Sequence, residues 1–206
     1  MPWGADAGAT EELIGRLQEA GARSCAIEAD FEDVTTPARV FDEAQERLAP
    51  IDALVLGHAE SVDSTILGTD LASFDRHFAV NARAGWLLVR EYGRRFAGAH
   101  GSGRIVALTS DHTAGNLPYG ASKGALDRIV LAAAKEFAQL GVSANCVNPG
   151  PTDNGWMDDE LKTTIRKETP LGRLGQPSDA ANLIAFLLSP EGGWVNGQLL
   201  HSNGGL

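Results

Sequence analysis

The sequence has little positive charge, no basic leader and no long hydrophobic run. Its 17 Lys and Arg against 27 Asp and Glu give a formal net charge of −10. Because such a surface repels a polyanion, we expect no nucleic-acid partner. No stretch reaches the roughly 20 apolar residues that cross a bilayer, so we expect no membrane association and a cytoplasmic location.

Cysteine is also scarce. The chain has only Cys25 and Cys146, and each lies in an apolar run. This setting is typical of buried thiols, so we expect no disulfide. The five histidines show no metal-ligand spacing, so we expect no metal site. The 206 residues are enough for a substantial core, and we expect a single domain over 1–206.

What is present is an alternation of helical and strand patterns. Apolar spacing predicts helices over 10–20, 37–48, 71–96, 122–140, 158–168 and 178–188. Apolar runs predict strands at 24–30 (SCAIEAD), 51–56 (IDALVL), 104–110 (RIVALTS), 142–148 (VSANCVN) and 197–202 (GQLLHS). IDALVL has the pattern of a strand buried on both faces. The alternation indicates an α/β fold with a parallel sheet covered by helices on both faces.

One predicted helix contains a pair of residues suited to acid–base chemistry. Tyr119 and Lys123 are four residues apart, so a helix places them on one face. A phenol has an ordinary pKa near 10, and a neighbouring ammonium lowers it toward a useful range. On its own such a pair is also common as a surface feature, so its context matters.

Three other elements also contribute candidate residues. Ser110 ends RIVALTS, Pro149 and Gly150 follow VSANCVN, and Asn81 interrupts an apolar helical face. The carboxyl ends of parallel strands form the crevice in which open α/β sheets bind ligands. We therefore expect these groups to converge with Tyr119 and Lys123.

These motifs, in this order, resemble the short-chain dehydrogenase/reductase family over nearly the whole chain, up to the C-terminal NGQLLHSNGG. The resemblance implies a Rossmann-like fold and a catalytic set of Asn81, Ser110, Tyr119 and Lys123. In that set Tyr119 exchanges the substrate proton and Ser110 hydrogen-bonds the reacting oxygen. Lys123 lowers the Tyr119 pKa and holds the nicotinamide ribose, and Asn81 holds a water that links Lys123 to solvent.

The resemblance also implies NAD or NADP as cofactor and a small-molecule carbonyl or alcohol as substrate. The residues that it assigns to cofactor contact are Asp30, Gly57, Tyr119, Lys123, Pro149, Gly150 and Asn154. Asp30 matches the family residue beside the adenine ring. Trp156 and Met157 resemble the family's substrate lid, although a loop anchored by its aromatic residue is an equally good interpretation.

The first residues raise the question of a phosphate cradle. Gly4 and Gly8 precede a predicted helix, and Asp30 follows about 20 residues later, as in a dinucleotide fingerprint. That fingerprint requires a preceding strand, and only three residues precede Gly4. Counting elements by the resemblance, SCAIEAD matches the family's third strand and IDALVL its fourth. We therefore interpret Gly4 and Gly8 as a loop and expect an N-terminally truncated sheet without the glycine-rich turn.

Other positions depart from the family pattern. Leu56-Gly57-His58-Ala59 replaces the usual Asn-Asn-Ala-Gly, and we expect His58 to be packed rather than to bind a metal. Asn154 stands where the family often has Thr, and the interval from Ser110 to Tyr119 is shorter than usual. With five strands remaining, we expect SCAIEAD to pair directly with IDALVL through a right-handed crossover.

Three hypotheses remain open at this point. The chain is an oxidoreductase that uses a nicotinamide cofactor; or it is a degenerate, cofactor-free relative that binds or scaffolds a partner; or the native start lies upstream of Met1. By the resemblance we expect a homodimer or homotetramer. Its contacts would use helices 71–96 and 122–140 and their small residues Ala82, Gly85 and 132–134.

Overall fold

A computed structural model of the chain describes residues 7–155 and 157–206. Its sheet has four parallel strands in the order β1-β2-β3-β4. The strands are β1 (Ala53–Leu56), β2 (Gly103–Leu108), β3 (Val142–Asn148) and β4 (Leu199–His201).

Seven α-helices are described, and they follow the predicted pattern to within a few residues, with the largest change at the start of the fifth. They are α1 (Ala7–Glu19), α2 (Thr36–Arg47), α3 (Leu71–His77), α4 (Ala84–Arg95), α5 (Leu117–Glu136), α6 (Asp159–Glu168) and α7 (Pro177–Leu188). A π-helical turn, Phe78–Arg83, joins α3 to α4, so the long helix predicted over 71–96 is not uniformly α-helical.

The core lies on both faces of the sheet, as predicted. On one face the larger cluster joins Phe41 of α2, Tyr92 of α4 and Leu126 of α5 to Ile105 of β2. On the other face, Leu187 of α7 packs with Val106 and Val147. Neighbouring residues Ile105 and Val106 point to opposite faces, as the two-residue period of a strand requires.

The prediction of a strand at SCAIEAD is wrong. Residues 24–30 are in no strand and do not pair with β1. Two of their carbonyls are instead bound by side chains of α2: Arg47 donates to the oxygen of Ala26 at 3.2 Å, and Arg39 to that of Glu28 at 2.8 Å. Guanidinium groups thus satisfy backbone acceptors that a sheet would have used.

Strand β1 is consequently an edge of the sheet. Ala53 is exposed and Val55 is 44% exposed, whereas every residue of β3 is buried. The prediction that IDALVL is buried on both faces is therefore wrong. An apolar run alone does not reveal whether a strand has a neighbour on each side.

Several N-terminal and loop predictions fall at or beyond the limits of the described residues. Gly8 lies inside α1, so its place in a loop is wrong, and Gly4 lies outside the described residues. Trp156 is also outside them, whereas Met157 is buried. Cys146 is fully buried in β3 as predicted, but Cys25 is only partly buried and lies in no strand.

Candidate active site

The sheet brings the predicted polar groups to one edge. Gly57 follows β1, Ser110 lies two residues beyond β2, and Pro149 follows β3 directly. Because these strands are parallel, their carboxyl ends open on the same side. Helix α5 begins nearby with Tyr119 in its first turn, since Pro118 suits a first helical turn.

Asn81 holds the segment after β1 in place. It is fully buried in the π-helical turn, and its Oδ1 accepts a hydrogen bond from the Glu60 N–H at 2.7 Å. Its Nδ2 donates to the Glu60 carbonyl at 2.9 Å and to the Ser122 hydroxyl at 2.9 Å. An amide group is one of the few side chains that can both donate to and accept from one residue's backbone. The predicted water between Asn81 and Lys123 stays a prediction.

Ser122 carries this network into α5. Its hydroxyl is fully buried and donates to the carbonyl of Tyr119 at 2.9 Å. Asn81 and Ser122 together therefore connect Glu60 to the helical turn that bears Tyr119. Sequence reasoning missed Ser122, although its position beside Lys123 in YGASK was a usable signal.

Tyr119 is half-buried beside Ser110. Burial raises the pKa of the Tyr119 phenol above its ordinary value, and the neighbouring Ser110 side chain opposes that shift. The shorter interval thus still leaves Ser110 near the phenol, while the Ser110 Oγ accepts the His112 N–H at 3.1 Å. The predicted lowering of the Tyr119 pKa by Lys123 is not found here, because burial dominates; the Lys123 Nζ lies 5.9 Å from the centre of the phenol ring.

Lys123 places an ammonium group inside the protein. It is only 2% exposed, and its Nζ donates to the Leu108 carbonyl at 2.9 Å and to the His58 carbonyl at 3.3 Å. Burial lowers its pKa from 10.5 to about 8, and Asp127 and Cys146 oppose that shift. A buried amine loses hydration that two neutral carbonyls only partly replace.

His58 is packed, as expected. Its ring lies 4.5 Å from that of Phe31, and its Nε2 lies 3.1 Å from the Val80 carbonyl, which can only accept. Burial, with the Lys123 charge as a second cause, lowers the pKa of His58 to about 4. The imidazole is therefore neutral at physiological pH and donates from Nε2.

The remaining predicted residues lie around this centre. Gly57 is exposed, and Asp30 is exposed and accepts the Glu32 N–H in its own turn at 2.9 Å. Pro149 and Gly150 are partly buried, and Asn154 is exposed in the loop after β3. Within the described residues, no hydrogen bond joins these five residues to Tyr119 or Lys123.

Gly150 occupies a position at which a residue with a side chain would be strained. Its φ is +60°, and a Cβ there would lie 2.5 Å from the Cβ of Asn203. The loop after β3 and the C-terminal segment therefore approach each other more closely than a side chain would allow. This contact sets the position of the Pro149-Gly150 corner beside the site.

Residues 7–155 and 157–206 contain no group of three or more His, Cys, Asp or Glu arranged to hold a metal ion. None of the helices in these ranges combines the length and apolarity needed to span a bilayer.

Chemically, the arrangement offers a protonated phenol and a hydroxyl at an open sheet edge, with a buried amine behind them. A phenol is protonated at neutral pH and can donate its proton, although a raised pKa weakens it as an acid, and a neighbouring hydroxyl can hydrogen-bond the oxygen that receives the proton. This is an arrangement for general acid catalysis at an oxygen atom.

Comparisons with known proteins agree with this geometry. Residues 4–206 match the family model described as enoyl-(acyl carrier protein) reductase. The chain is 38% identical to the uncharacterized oxidoreductase YjdA of Bacillus subtilis, over 98% of this chain and 83% of that protein. It is 35% identical to an NADPH-dependent aldehyde reductase-like chloroplastic protein of Arabidopsis thaliana, over 95% of this chain and 74% of that protein.

A solved structure is similar along almost the whole chain. It is a short chain dehydrogenase from Burkholderia cenocepacia in complex with NADP, with a TM-score of 0.91 and 28% identity. The match covers 98% of this chain and 84% of that chain.

Proposed function

Because the chain belongs to the short-chain dehydrogenase/reductase family of oxidoreductases, we propose that it reduces the carbonyl group of a small molecule with a nicotinamide dinucleotide. The observation that carries the proposal is the convergence of Ser110, Tyr119 and Lys123 at one edge of the sheet. An enzyme of this kind needs a proton donor beside the carbonyl oxygen, and Tyr119 supplies one.

The nicotinamide end of such a cofactor fits the residues present. Lys123 uses two of its three N–H groups on the carbonyls of Leu108 and His58, which leaves one donor for a ribose hydroxyl. Gly57 is exposed at the end of β1, where a ring or sugar can approach the backbone. When bound, the cofactor supplies the hydride, and the chain's own residues position the substrate and deliver the proton.

The proton step is then assigned to Tyr119. Its O–H donates to the carbonyl oxygen of the substrate while Ser110 donates a second hydrogen bond to the same oxygen. Asn81 and Ser122 keep the turn that bears Tyr119 against the Glu60 segment. The Tyr119 phenol is protonated at neutral pH, which is the form that reduction requires, and its raised pKa makes it a weaker acid than a group poised near neutral pH.

The cofactor is proposed as NADP(H), because two similar proteins carry it in their descriptions. The truncation and the absence of a glycine-rich turn remain predictions; Gly8, one of the two glycines considered, lies within α1. We propose that the contacts of Lys123 and Tyr119 make up much of the binding of the nicotinamide end. A cytoplasmic location and a single domain also remain predictions.

A homodimer or homotetramer is proposed with one correction. Gly85 packs within the chain, since a Cβ there would lie 2.6 Å from the Leu126 side chain. Its small size thus serves the contact between α4 and α5 rather than a second copy. What supports self-association is an open apolar groove lined in part by Phe78, Ala82 and Ile129, beside Trp86, which is 46% exposed.

Calorimetric titration of the 206-residue chain with NADPH and NADH tests the proposal first. We expect binding in the micromolar range, about −8 kcal/mol, for at least one of them. The absence of heat with both cofactors would overturn the proposal for this chain and leave the other two hypotheses, a cofactor-free binding or scaffold protein and a native start upstream of Met1.

The Tyr119→Phe variant tests the proton step. We expect aldehyde reduction to fall about 10²- to 10⁴-fold, because the variant lacks the phenol O–H that donates the proton. The other tyrosine of the chain gives the matched control: Tyr92→Phe removes a hydroxyl that donates to the Asp52 carbonyl in the core. An equal loss of activity in both variants would contradict the assignment of Tyr119.

A further inference from the structure

The buried ammonium of Lys123 has two hydrogen-bond acceptors, and both are neutral. They are the carbonyl oxygens of Leu108 and His58, and the side chain is only 2% exposed. A buried charge of this kind is costly unless a group of opposite charge compensates it. The proposed reaction nevertheless uses Lys123 in its charged form.

Asp127 lies one helical turn further along α5. The spacing of four residues places it on the same helix face as Lys123. The residue is partly buried, and its Oδ1 is inaccessible to solvent and has no hydrogen-bond partner. Buried carboxylate oxygens normally have a donor, so this one requires an explanation.

The other elements packed here supply mostly neutral groups. From β3, the Cys146 thiol is fully buried, and burial followed by the Asp127 charge raises its pKa to about 12, so it stays protonated. From the loop after β1, His58 is neutral. Tyr119 on α5 is protonated, and Arg128 is exposed.

The Asp127 carboxyl itself is subject to opposing effects. Burial raises its pKa, whereas Thr109, Cys146, Lys123 and Arg128 lower it. Among the groups of the described chain that raise the Lys123 pKa, Asp127 is the carboxyl group, and its effect is the larger.

We propose that Asp127 is the counter-ion of Lys123, a positioning residue that keeps the buried ammonium charged and directed at the Leu108 carbonyl. The inference rests on the proposed function only for the catalytic meaning of the Lys123 charge. The Cys146 and Thr109 side chains also lower the Asp127 pKa and so favour its charged form. Asp127 thereby acts on the reaction through Lys123 and does not touch the reacting atoms.

The pH titration of Lys123 tests this directly. The chain contains only four lysines, so ¹³Cε-lysine NMR resolves each of them, and the Lys123→Met variant identifies the resonance of interest. We expect Asp127→Asn to lower the pKa of Lys123 by about one pH unit, because a carboxylate nearby favours the ammonium form. Asp127→Glu, which keeps the charge, should restore most of the wild-type value.

Glu136→Gln is the matched control. It removes an exposed carboxylate from the end of the same helix, more than three turns from Lys123, and should leave the Lys123 titration unchanged. Asp127→Ala provides a second neutral variant in case the asparagine variant does not fold. An unchanged Lys123 pKa in a folded neutral variant would overturn the proposal, as would an equal change in Glu136→Gln.

The readout needs no cofactor, substrate or turnover. A chain that binds neither NADH nor NADPH would refute the proposed function while the Lys123 titration still decides the role of Asp127. The two proposals therefore fail separately.

Discussion

Replacing Lys123 with methionine is expected to change the pH dependence of stability in a defined direction. The folded-state pKa of Lys123 is about 8 against an ordinary value of 10.5, with burial as the main cause. A difference of about two and a half pH units, at about 1.4 kcal/mol per unit, corresponds to about 3 kcal/mol. This is the order of magnitude by which the charged lysine lowers the free energy of unfolding below pH 8.

The sign follows from proton counting. Between pH 8 and 10.5 the unfolded chain holds the Lys123 proton and the folded chain releases it, so wild-type stability rises with pH in this window. The methionine variant lacks this contribution. Its stability relative to wild type should therefore fall by about 3 kcal/mol between pH 7 and 10.5. The lost hydrogen bonds to the Leu108 and His58 carbonyls add an offset that is nearly independent of pH.

Urea denaturation at pH 7 and at pH 10.5, followed by tryptophan fluorescence, measures this difference. Groups that titrate in both proteins, such as Cys146, largely cancel in the comparison. Parallel pH dependences for wild type and Lys123→Met would show that the amine is not held charged against a desolvation cost, and would refute the reasoning.

Two further predictions concern single atoms of the fold. Tyr92→Phe should lower the free energy of unfolding by about 1 kcal/mol in urea denaturation. The variant loses the hydroxyl that donates to the Asp52 carbonyl at 2.6 Å, but the Arg104 N–H still donates to that oxygen at 3.1 Å. A loss above about 3 kcal/mol would show that the Arg104 N–H does not compensate for the missing hydroxyl. Gly150→Ala should lower the thermal midpoint more than Gly172→Ala. Both glycines have positive φ, but only a Cβ at 150 would collide with a neighbour, at 2.5 Å from Asn203. Equal losses would show that backbone strain alone determines the loss of stability.

The parallel sheet was predictable because its central strands are strongly patterned. RIVALTS and VSANCVN each have apolar residues at four of seven positions and became β2 and β3, buried between helices. SCAIEAD has the same local character and formed no strand, because pairing depends on a neighbour and here the Arg39 and Arg47 side chains bind its carbonyls. The local sequence does not show whether strand pairing or side-chain hydrogen bonds will satisfy these carbonyls.

The site residues Asn81, Ser110, Tyr119 and Lys123 were identified by spacing and resemblance, and their catalytic assignment stays a prediction. The structure brings Ser110 beside Tyr119. The direction of the Tyr119 pKa was not predictable, because burial in the assembled fold sets it. Asp127 was not singled out, although its spacing of four residues from Lys123 was a usable signal, because its burial depends on the assembled fold.

The π-helical turn at Phe78–Arg83 has a consequence for protein engineering. A π turn contains one residue more than the α-helical path between the same two points, so residue numbering on either side is out of phase by about 100°. Deleting a residue there would regularise the helix and remove a local irregularity. It would also rotate Asn81 away from the Glu60 backbone and Ser122. A design that made this helix regular would therefore remove the hydrogen bonds that connect it to the candidate site.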